Sequence, residues 1–326
     1  MGSFISSAML KAWSFFLSVF YFFAGPITPP STDDPIKPLD NDVQMSVVLW
    51  ADPQLSNYIL KRHQYFVSAC EDLKNAQIPV DALLVAGDIA ENGLLCEYEM
   101  ISNHIVTDKV KTYMMATGNH DVRMRLYKST VERFTSFANG LNEAVGSELK
   151  MDKLNYKTEI NGYTFIVLGT DRTEFEEAWF SAEQLEWLDT SLKEASESGK
   201  PVFVVCHQPL KLSHGLPETW NSPIDAAGSV GEQSDDLLEI MDKYEDVVLI
   251  SGHLHTGFGE YTYEKIGNIH SVNLPSLTID NKDGECNDNG IGFVMEAYSD
   301  KVIFRARNFS QGKFLPEYDI TLNFGE

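Results

Sequence analysis

Residues 247–255, VVLISGHLH, combine a short apolar run with two histidines that follow it directly. An uninterrupted apolar run of this length is typical of a strand that is buried on both faces. The period of two between His253 and His255 places both imidazoles on the same side of an extended segment. The stretch therefore predicts a buried strand that ends in two candidate metal ligands.

Four other apolar runs end in polar side chains of the same kinds. They lie at 45–50, 82–86, 112–116 and 202–205. The polar residues that follow the five runs are Asp52, Gln54, Asp88, Asn119, His120, His207, His253 and His255. Where buried strands alternate with helices, residues just past the strand ends converge on one rim of the sheet, and ligands bind there. A single histidine after a strand is usually structural, but five such segments together predict a metal site.

The chain between these segments predicts one layered α/β domain over residues 41–326. Helices predicted at 57–76 and 94–106 separate the first three strands, as expected for buried strands covered by helices. The second half is more antiparallel, because Asn161-Gly162 stands between two apolar runs and is a strong hairpin signal. The chain contains no internal repeat.

The first 40 residues differ in composition from the rest. Residues 1–25 are apolar with Lys11 as the only charge, which fits a signal peptide or an uncleaved membrane anchor. A core or amphipathic helix is disfavoured, because aromatic side chains would surround it on all sides. Residues 26–40 carry five prolines and three aspartates, which predicts an extended spacer rather than packed structure. We therefore expect an extracytoplasmic protein, secreted or membrane-anchored through this segment alone.

The charge of the chain limits its partners. It has 25 Lys and Arg residues against 48 Asp and Glu residues, a formal net charge of −23. Affinity for nucleic acids comes mostly from Lys and Arg that meet phosphates, so long nucleic acids are disfavoured. Small phosphorylated substrates and metal cations remain as candidate ligands.

The four cysteines give no pattern of their own. Because Cys70, Cys96, Cys206 and Cys286 form no CxxC pair, a zinc ribbon and a thioredoxin-type site are excluded. Buried unpaired thiols are the simplest interpretation, and one or two disulfides stay open if the protein is exported.

The five polar segments together resemble the calcineurin-like metallophosphoesterase superfamily, whose pattern runs D-x-H, G-D-x-x-D/E, G-N-H-E/D, a lone H, and G-H-x-H. Here the segments are DPQ at 52–54, GDIAE at 87–91, GNHD at 118–121, His207, and GHLH at 252–255. The resemblance implies a four-layer α/β/β/α fold, a β-sandwich flanked by helices. It also implies two divalent metals at one rim and hydrolysis of a small phosphoester, a monoester or a diester, nucleotides included, by a metal-bridging hydroxide.

The resemblance also assigns roles by position. The first metal would be held by Asp52, Gln54, Asp88 and His255, and the second by Asp88, Asn119, His207 and His253. His120 would donate a proton to the leaving oxygen or stabilise its charge, and Asp121 would orient that imidazole or raise its pKa. A purely structural His120 remains the alternative.

Gln54 departs from the family pattern, which has a histidine at this position. A carboxamide oxygen is a harder and weaker ligand than imidazole, which favours Mn or Fe(II) over Zn. Gln54 is also the only support for an alternative function, a binding module or scaffold with a weakened centre. Three tryptophans, Trp179, Trp187 and Trp220, are candidates for a substrate groove, with core or surface positions as the alternative.

Overall fold

The computed structural model describes residues 29–325, which form two β-sheets and the helices that cover them. The strands are β1 Met45–Trp50, β2 Ala82–Ala86, β3 Tyr113–Ala116, β4 Tyr156–Ile160, β5 Tyr163–Val167, β6 Val202–Val205, β7 Val247–Ser251, β8 Tyr263–Ile266, β9 Ile269–Asn273, β10 Ile291–Ala297, β11 Lys301–Asn308, β12 Lys313–Phe314 and β13 Ile320–Asn323. The helices are α1 Leu60–Lys74, α2 Leu95–Ser102, α3 Asn119–Val122, α4 Tyr127–Val145, α5 Ala182–Ser196 and α6 Ser234–Met241. The segment predicted as a signal or anchor lies outside the described residues.

The pairing of the strands places the carboxyl ends of the central ones at one rim. The first sheet has the order β12-β11-β10-β1-β2-β3, with β13 also paired to β11. In it β1, β2 and β3 are parallel and β10 is antiparallel to β1. The second sheet has the order β4-β5-β6-β7-β9-β8, and its four central strands are parallel. The predicted hairpin at Asn161-Gly162 joins β4 and β5.

The alternation of side chains along β7 shows how the layers stack. Val248 and Ile250 point into the core between the two sheets, whereas Val247 and Leu249 belong to a second core under α5 and α6. On the far side of the first sheet, Phe66 of α1 packs edge-on against Trp50 with ring centroids 6.1 Å apart. Helices therefore cover both outer faces of a β-sandwich, and the predicted α/β/β/α fold is confirmed.

The end of the predicted spacer is packed, contrary to expectation. Residues 29–40 have no helix or strand, but Ile36 is buried and the backbone N–H of Ser31 donates to the carbonyl oxygen of Gln311 at 2.9 Å. The guanidinium of Arg305 donates to the carbonyl oxygen of Lys37 at 2.7 Å. Arg305 is buried and needs acceptors, and this segment supplies one of them. Composition alone did not indicate that contact.

Two other expectations can be compared with the structure. All four cysteines are free, as the simplest interpretation has it, although only Cys70 and Cys206 are buried, whereas Cys286 is partly buried and Cys96 is exposed. Within residues 29–325, no helix has the length and apolar character needed to cross a membrane.

Candidate metal centre

The site lies where the loops that follow β1, β2, β3, β6 and β7 meet. Five of the predicted metal ligands have left-handed backbone conformations, which non-glycine residues rarely adopt. They are Asp52, Gln54, Asp88, His253 and His255, with φ values of 51°, 36°, 48°, 73° and 52°. Such conformations cost about 1–3 kcal/mol each and occur mainly at functional sites, where the surrounding structure holds them.

Glycines of the motifs allow the loops to approach one another. A Cβ on Gly118 would lie 2.1 Å from Oδ1 of Asp88, and one on Gly252 would lie 2.7 Å from Oδ2 of Asp52. A Cβ on Gly87 would lie 2.4 Å from Nδ1 of His207. These three positions have no room for a side chain, which is the physical reason for the glycine in GD, GNH and GHxH.

Asp88 lies at the centre of the site and is buried. Its Oδ2 lies 3.2 Å from Nε2 of His207, and its Oδ1 accepts the backbone N–H of His120 at 2.8 Å. Ligand atoms of Asp88, His207 and His253 all lie within 4.8 Å of one another. Burial alone would raise the pKa of Asp88, but the neighbouring His207 outweighs it and lowers this pKa below its ordinary range.

Asp52 forms the adjacent half of the site. Its Oδ1 lies 3.2 Å from Nε2 of His255 and 3.8 Å from Nε2 of His207, and its Oδ2 accepts the backbone N–H of His253 at 3.0 Å. Gln54 is held beside Asp88, because its backbone N–H donates to the Asp88 carbonyl oxygen at 2.8 Å. Nε2 of His207 therefore lies between the Asp52 half and the Asp88 half of the site. All seven predicted metal ligands lie on the segments that follow these five strands.

Unsatisfied atoms in the site test whether metals fit. Four buried ligand atoms have no hydrogen-bond partner among residues 29–325: Gln54 Oε1, Asn119 Oδ1, His207 Nε2 and His253 Nε2. Buried polar atoms normally have partners, so four such atoms on the segments that follow the strand ends, together with two buried carboxylates, point to cations. Nδ1 of His207 lies 2.7 Å from the carbonyl oxygen of Ala86 and can donate to it, which leaves Nε2 free to ligate. The residues present fit a metal centre.

The two buried histidines respond differently to this environment. Burial disfavours a charged His207, but Asp88 and Asp52 outweigh burial and raise the pKa of this imidazole. Burial and the neighbouring His207 lower the pKa of His253 well below its ordinary value, so His253 is neutral and able to ligate. The carboxylates thus attract positive charge, which a proton on His207 or a divalent cation can supply.

His120 lies at the outer side of the site, with its side chain 15% exposed. Its Nε2 is 3.9 Å from Oδ2 of Asp88. Its Nδ1 is 2.9 Å from the carbonyl oxygen of Glu91 and 2.8 Å from Nη2 of Arg123, and Oε1 of Glu91 lies 3.5 Å away. Nδ1 can either donate to the Glu91 carbonyl oxygen or accept from Arg123, and in both cases Nε2 is directed toward Asp88.

Asp121 does not orient His120, which is the first of the two alternative roles that the resemblance assigns to it. Its carboxylate accepts the backbone N–H groups of Ile89, Ala90 and Gly118 at 3.0–3.1 Å, and the hydroxyl of Tyr98 at 3.0 Å. With its acceptor positions used in this way, it supports the loop that carries Asp88. The prediction that Asp121 orients His120 is wrong, because Glu91 and Arg123 occupy that position. Burial, reinforced by the charge of Asp88, raises the pKa of Asp121 to about 7.

Two site residues, Arg123 and Glu176, were missed from the sequence. Arg123 follows His120 by three positions, a spacing that puts both on one side of a helical turn and could have indicated it. Glu176 lies in the loop between β5 and α5 and belongs to no motif. Its Oε2 accepts Nδ2 of Asn119 at 2.9 Å. No pattern in the sequence signals that contact.

One of the three candidate tryptophans reaches the site. Trp220 stacks on His253 with ring centroids 4.8 Å apart and planes at 26°. Trp179 instead lies 4.5 Å from the guanidinium of Arg172, and Trp187 lines a separate cleft of about 550 Å³ beside α4 and α5.

Comparison with known proteins gives one family and a set of similar chains. Residues 45–257 match the family described as Calcineurin-like phosphoesterase. A 3′,5′-cyclic-nucleotide phosphodiesterase of Nostoc sp. is 26% identical over 217 residues, which cover 65% of this chain and 68% of the relative. A probable cyclic nucleotide phosphodiesterase of Ruthia magnifica is 22% identical over 68% of this chain and 78% of its own. A dimetal phosphatase from Danio rerio shares the fold, with a TM-score of 0.61, 15% identity, and coverage of 87% of this chain and 100% of that one.

Proposed function

Because the chain belongs to the calcineurin-like phosphoesterase family and is a metal-dependent phosphoric ester hydrolase, we propose that it hydrolyses small phosphodiesters at a dinuclear centre. The observation that carries this proposal is that four buried atoms of the predicted ligands have no hydrogen-bond partner in the described chain, while Asp88, His207 and His253 lie together. A cavity with no metal-binding role would be lined with apolar groups or with polar groups that already have hydrogen-bond partners. Here the oxygens of Gln54 and Asn119 offer only lone pairs, and Nε2 of His207 offers one when a cation replaces its proton.

The ligand set supports two divalent cations, held by the residues of the two halves. These ligands are Asp52, Gln54, Asp88, Asn119, His207, His253 and His255. When bound, such ions supply charge neutralisation for a phosphoryl group and an activated water. A set with two carboxylates, two carboxamides and three imidazoles suits Mn or Fe(II), and Zn less well.

The chain's own chemistry centres on His120. When Nδ1 accepts a hydrogen bond from Arg123, the neutral imidazole carries its proton on Nε2, which is directed toward Asp88. An Nε2–H there can donate to a leaving oxygen or to a phosphoryl oxygen. The partial exposure of His120 leaves it open to a substrate that enters from the rim, whereas Asp88 and His207 stay buried.

The substrate class rests on the relatives and on the charge of the chain. Two similar proteins carry the name of cyclic nucleotide phosphodiesterases. The net charge of −23 disfavours long polyanions, whereas a small phosphodiester is attracted locally by the metals. Cyclic nucleotides are therefore the first substrates to try, followed by other small diesters and monoesters.

The experiment is a hydrolysis panel on chelator-treated protein supplied in turn with Mn²⁺, Fe²⁺ and Zn²⁺. The substrates are 3′,5′-cyclic AMP, bis(p-nitrophenyl) phosphate and p-nitrophenyl phosphate. We expect activity with Mn²⁺ or Fe²⁺, diesters ahead of the monoester, and loss of about 10³-fold or more in Asp88→Asn. Asp300→Asn, in the exposed β10–β11 turn, is the matched control. Absence of turnover with every metal and substrate would contradict the proposal.

We also propose export or membrane tethering through residues 1–25, on the sequence alone. The full-length protein is expressed in its host, and membranes are washed with high salt and then with detergent. Retention after salt and release by detergent supports an anchor, and a shortened N-terminus in the soluble extracellular fraction supports a cleaved signal. A soluble cytoplasmic protein with an intact N-terminus would contradict both.

A further inference from the structure

Glu176 connects the loop after β5 to the metal centre. Its Oε2 accepts a hydrogen bond from Nδ2 of Asn119 at 2.9 Å, and its Oε1 lies 3.4 Å from Nη1 of Arg123. Its backbone carbonyl oxygen accepts Nε2 of Gln208 at 2.8 Å. Both the side chain and the backbone of this residue are therefore fixed, although the loop that carries it has no regular secondary structure.

The contact matters because a carboxamide has two unlike ends. A cation binds the oxygen of Asn119 and is repelled by its NH₂ group, so the orientation of the amide decides whether Asn119 can ligate. An ionised carboxylate can only accept hydrogen bonds. Glu176 therefore requires the NH₂ group on its own side, and the carbonyl oxygen of Phe175, 3.4 Å from Nδ2, requires the same.

The other end of the amide is then directed away from Glu176. Oδ1 of Asn119 is buried and has no hydrogen-bond partner within the described chain. It is one of the four unpaired ligand atoms of the site. With the amide reversed, NH₂ would replace that oxygen, and the second metal position would lose a ligand.

Arg123 favours the ionised form of Glu176, which can only accept hydrogen bonds. The guanidinium is a permanent cation and stays beside the carboxylate, while its Nη2 contacts His120. Glu176 is thus anchored to the same arginine that holds the imidazole.

We propose that Glu176 is a positioning residue that fixes the side-chain amide of Asn119 with its oxygen toward the second metal. The inference rests on the proposed function, because it takes Asn119 as a ligand. It differs from a general electrostatic effect, in which Glu176 would attract cations through its charge alone. The orienting mechanism and the charge mechanism give opposite results when residue 119 is an aspartate, because both oxygens of a carboxylate can ligate.

The test measures Mn²⁺ binding directly, by electron paramagnetic resonance of free Mn²⁺ during titration of chelator-treated full-length protein. Glu176→Ala is expected to weaken one of the two Mn²⁺ sites by about 10–100-fold, the usual effect of removing a group that orients a ligand. Glu174→Ala, in the same loop and paired with Arg172, is the matched control and should bind as wild type does. Thermal unfolding of each metal-free variant checks that it folds.

The decisive comparison repeats Glu176→Ala in an Asn119→Asp background. Either carboxylate oxygen of an aspartate can ligate, so orientation is no longer needed, and removing Glu176 should leave Mn²⁺ affinity unchanged or raise it by relieving repulsion. Equal weakening in both backgrounds would overturn the inference in favour of charge alone. Unchanged binding in the single variant would overturn it outright.

Glu176→Gln serves if the alanine variant does not fold. Glutamine has the same shape but can also donate, so it no longer excludes the reversed amide, and we expect weaker Mn²⁺ binding than in wild type. Wild-type binding by the glutamine variant would overturn the inference. If wild type itself binds no Mn²⁺, Fe²⁺ or Zn²⁺, the proposed function fails and this inference fails with it. If wild type has two metal sites whose affinities do not change when Glu176 is replaced, only this inference fails.

Discussion

Asp121 accepts the backbone N–H of Ala90 at 3.0 Å, and this hydrogen bond ties helix α3 to the loop that carries Asp88. The same carboxylate accepts three further donors, from Ile89, Gly118 and the hydroxyl of Tyr98. Asp121 thus holds two loops of the candidate site in register, and its hydrogen bonds do not include the imidazole of His120.

Loss of Asp121 should therefore destabilise the fold. Each buried donor left without an acceptor costs about 1–3 kcal/mol, so with four such donors Asp121→Ala should lower the free energy of unfolding by about 4 kcal/mol or more. Asp121→Asn keeps one acceptor oxygen and should cost less. Urea unfolding of metal-free protein measures both, and equal stability of wild type and Asp121→Ala would refute this role.

A methyl group at Gly118 should disrupt metal binding. The added Cβ would lie 2.1 Å from Oδ1 of Asp88 and 2.5 Å from its backbone nitrogen, so Asp88 must move. We expect Gly118→Ala to weaken Mn²⁺ binding by about 100-fold, at the upper end for displaced ligand geometry. Gly140→Ala is the matched control, since a Cβ there meets nothing within 4 Å inside α4. It should raise the free energy of unfolding by about 0.5–1 kcal/mol and leave binding unchanged, whereas equal effects of the two substitutions would contradict the prediction.

Removal of His120 should depend on the leaving group. If Nε2 protonates the leaving oxygen, His120→Ala should reduce kcat by about 10²–10⁴-fold for phenyl esters and far less for 2,4-dinitrophenyl esters, which need no proton. Mn²⁺ affinity should stay as in wild type. The measurement is kcat across a series of aryl phosphoesters, and an equal loss for all of them would argue against proton donation.

Metal binding should stabilise the protein. A ligand at about 100 times its Kd adds about 2.7 kcal/mol to the free energy of unfolding, which corresponds to a rise in Tm of roughly 4–5 °C for a domain of this size. Chelator should reverse the rise, and Asp88→Asn should lose most of it. If the Tm of wild type does not change when Mn²⁺ is added, the proposed metal centre is contradicted.

Acid should destabilise the metal-free fold through His63. This side chain is buried in α1, where burial, with a smaller effect of His104, lowers its pKa to about 4. In the unfolded chain, His63 binds a proton near pH 6.5. The stability that the buried, neutral His63 allows is therefore fully present above pH 6.5 and declines as pH falls toward 4. The change is on the order of 3 kcal/mol.

Urea unfolding in chelator at pH 7.5 and pH 5 measures this dependence. His63→Gln should show a clearly smaller difference between the two pH values than wild type does. His104, whose pKa burial also lowers, is present in both proteins. The same pH dependence in both would show that His63 does not carry it.

The order of the elements was predictable because the strands that matter are continuously apolar. The predicted runs at 45–50, 82–86 and 202–205 coincide with β1, β2 and β6. The predicted helix at 57–76 is Leu60–Lys74, and the one at 94–106 ends earlier, at Ser102. Hydrophobic periodicity marks what is buried, whereas element ends depend on local hydrogen bonds.

Local sequence by itself determined the candidate ligands, since each follows an apolar strand and the fold turns all five strand ends to one rim. Asp121 and Glu176 show what it left undecided. Asp121 stands next to His120 in the chain, but helix α3 turns it inward to the loop of Ala90. Glu176 stands 57 positions after Asn119 and contacts it in space. Only the tertiary structure decided these partners, because a hydrogen bond depends on where two chain segments meet.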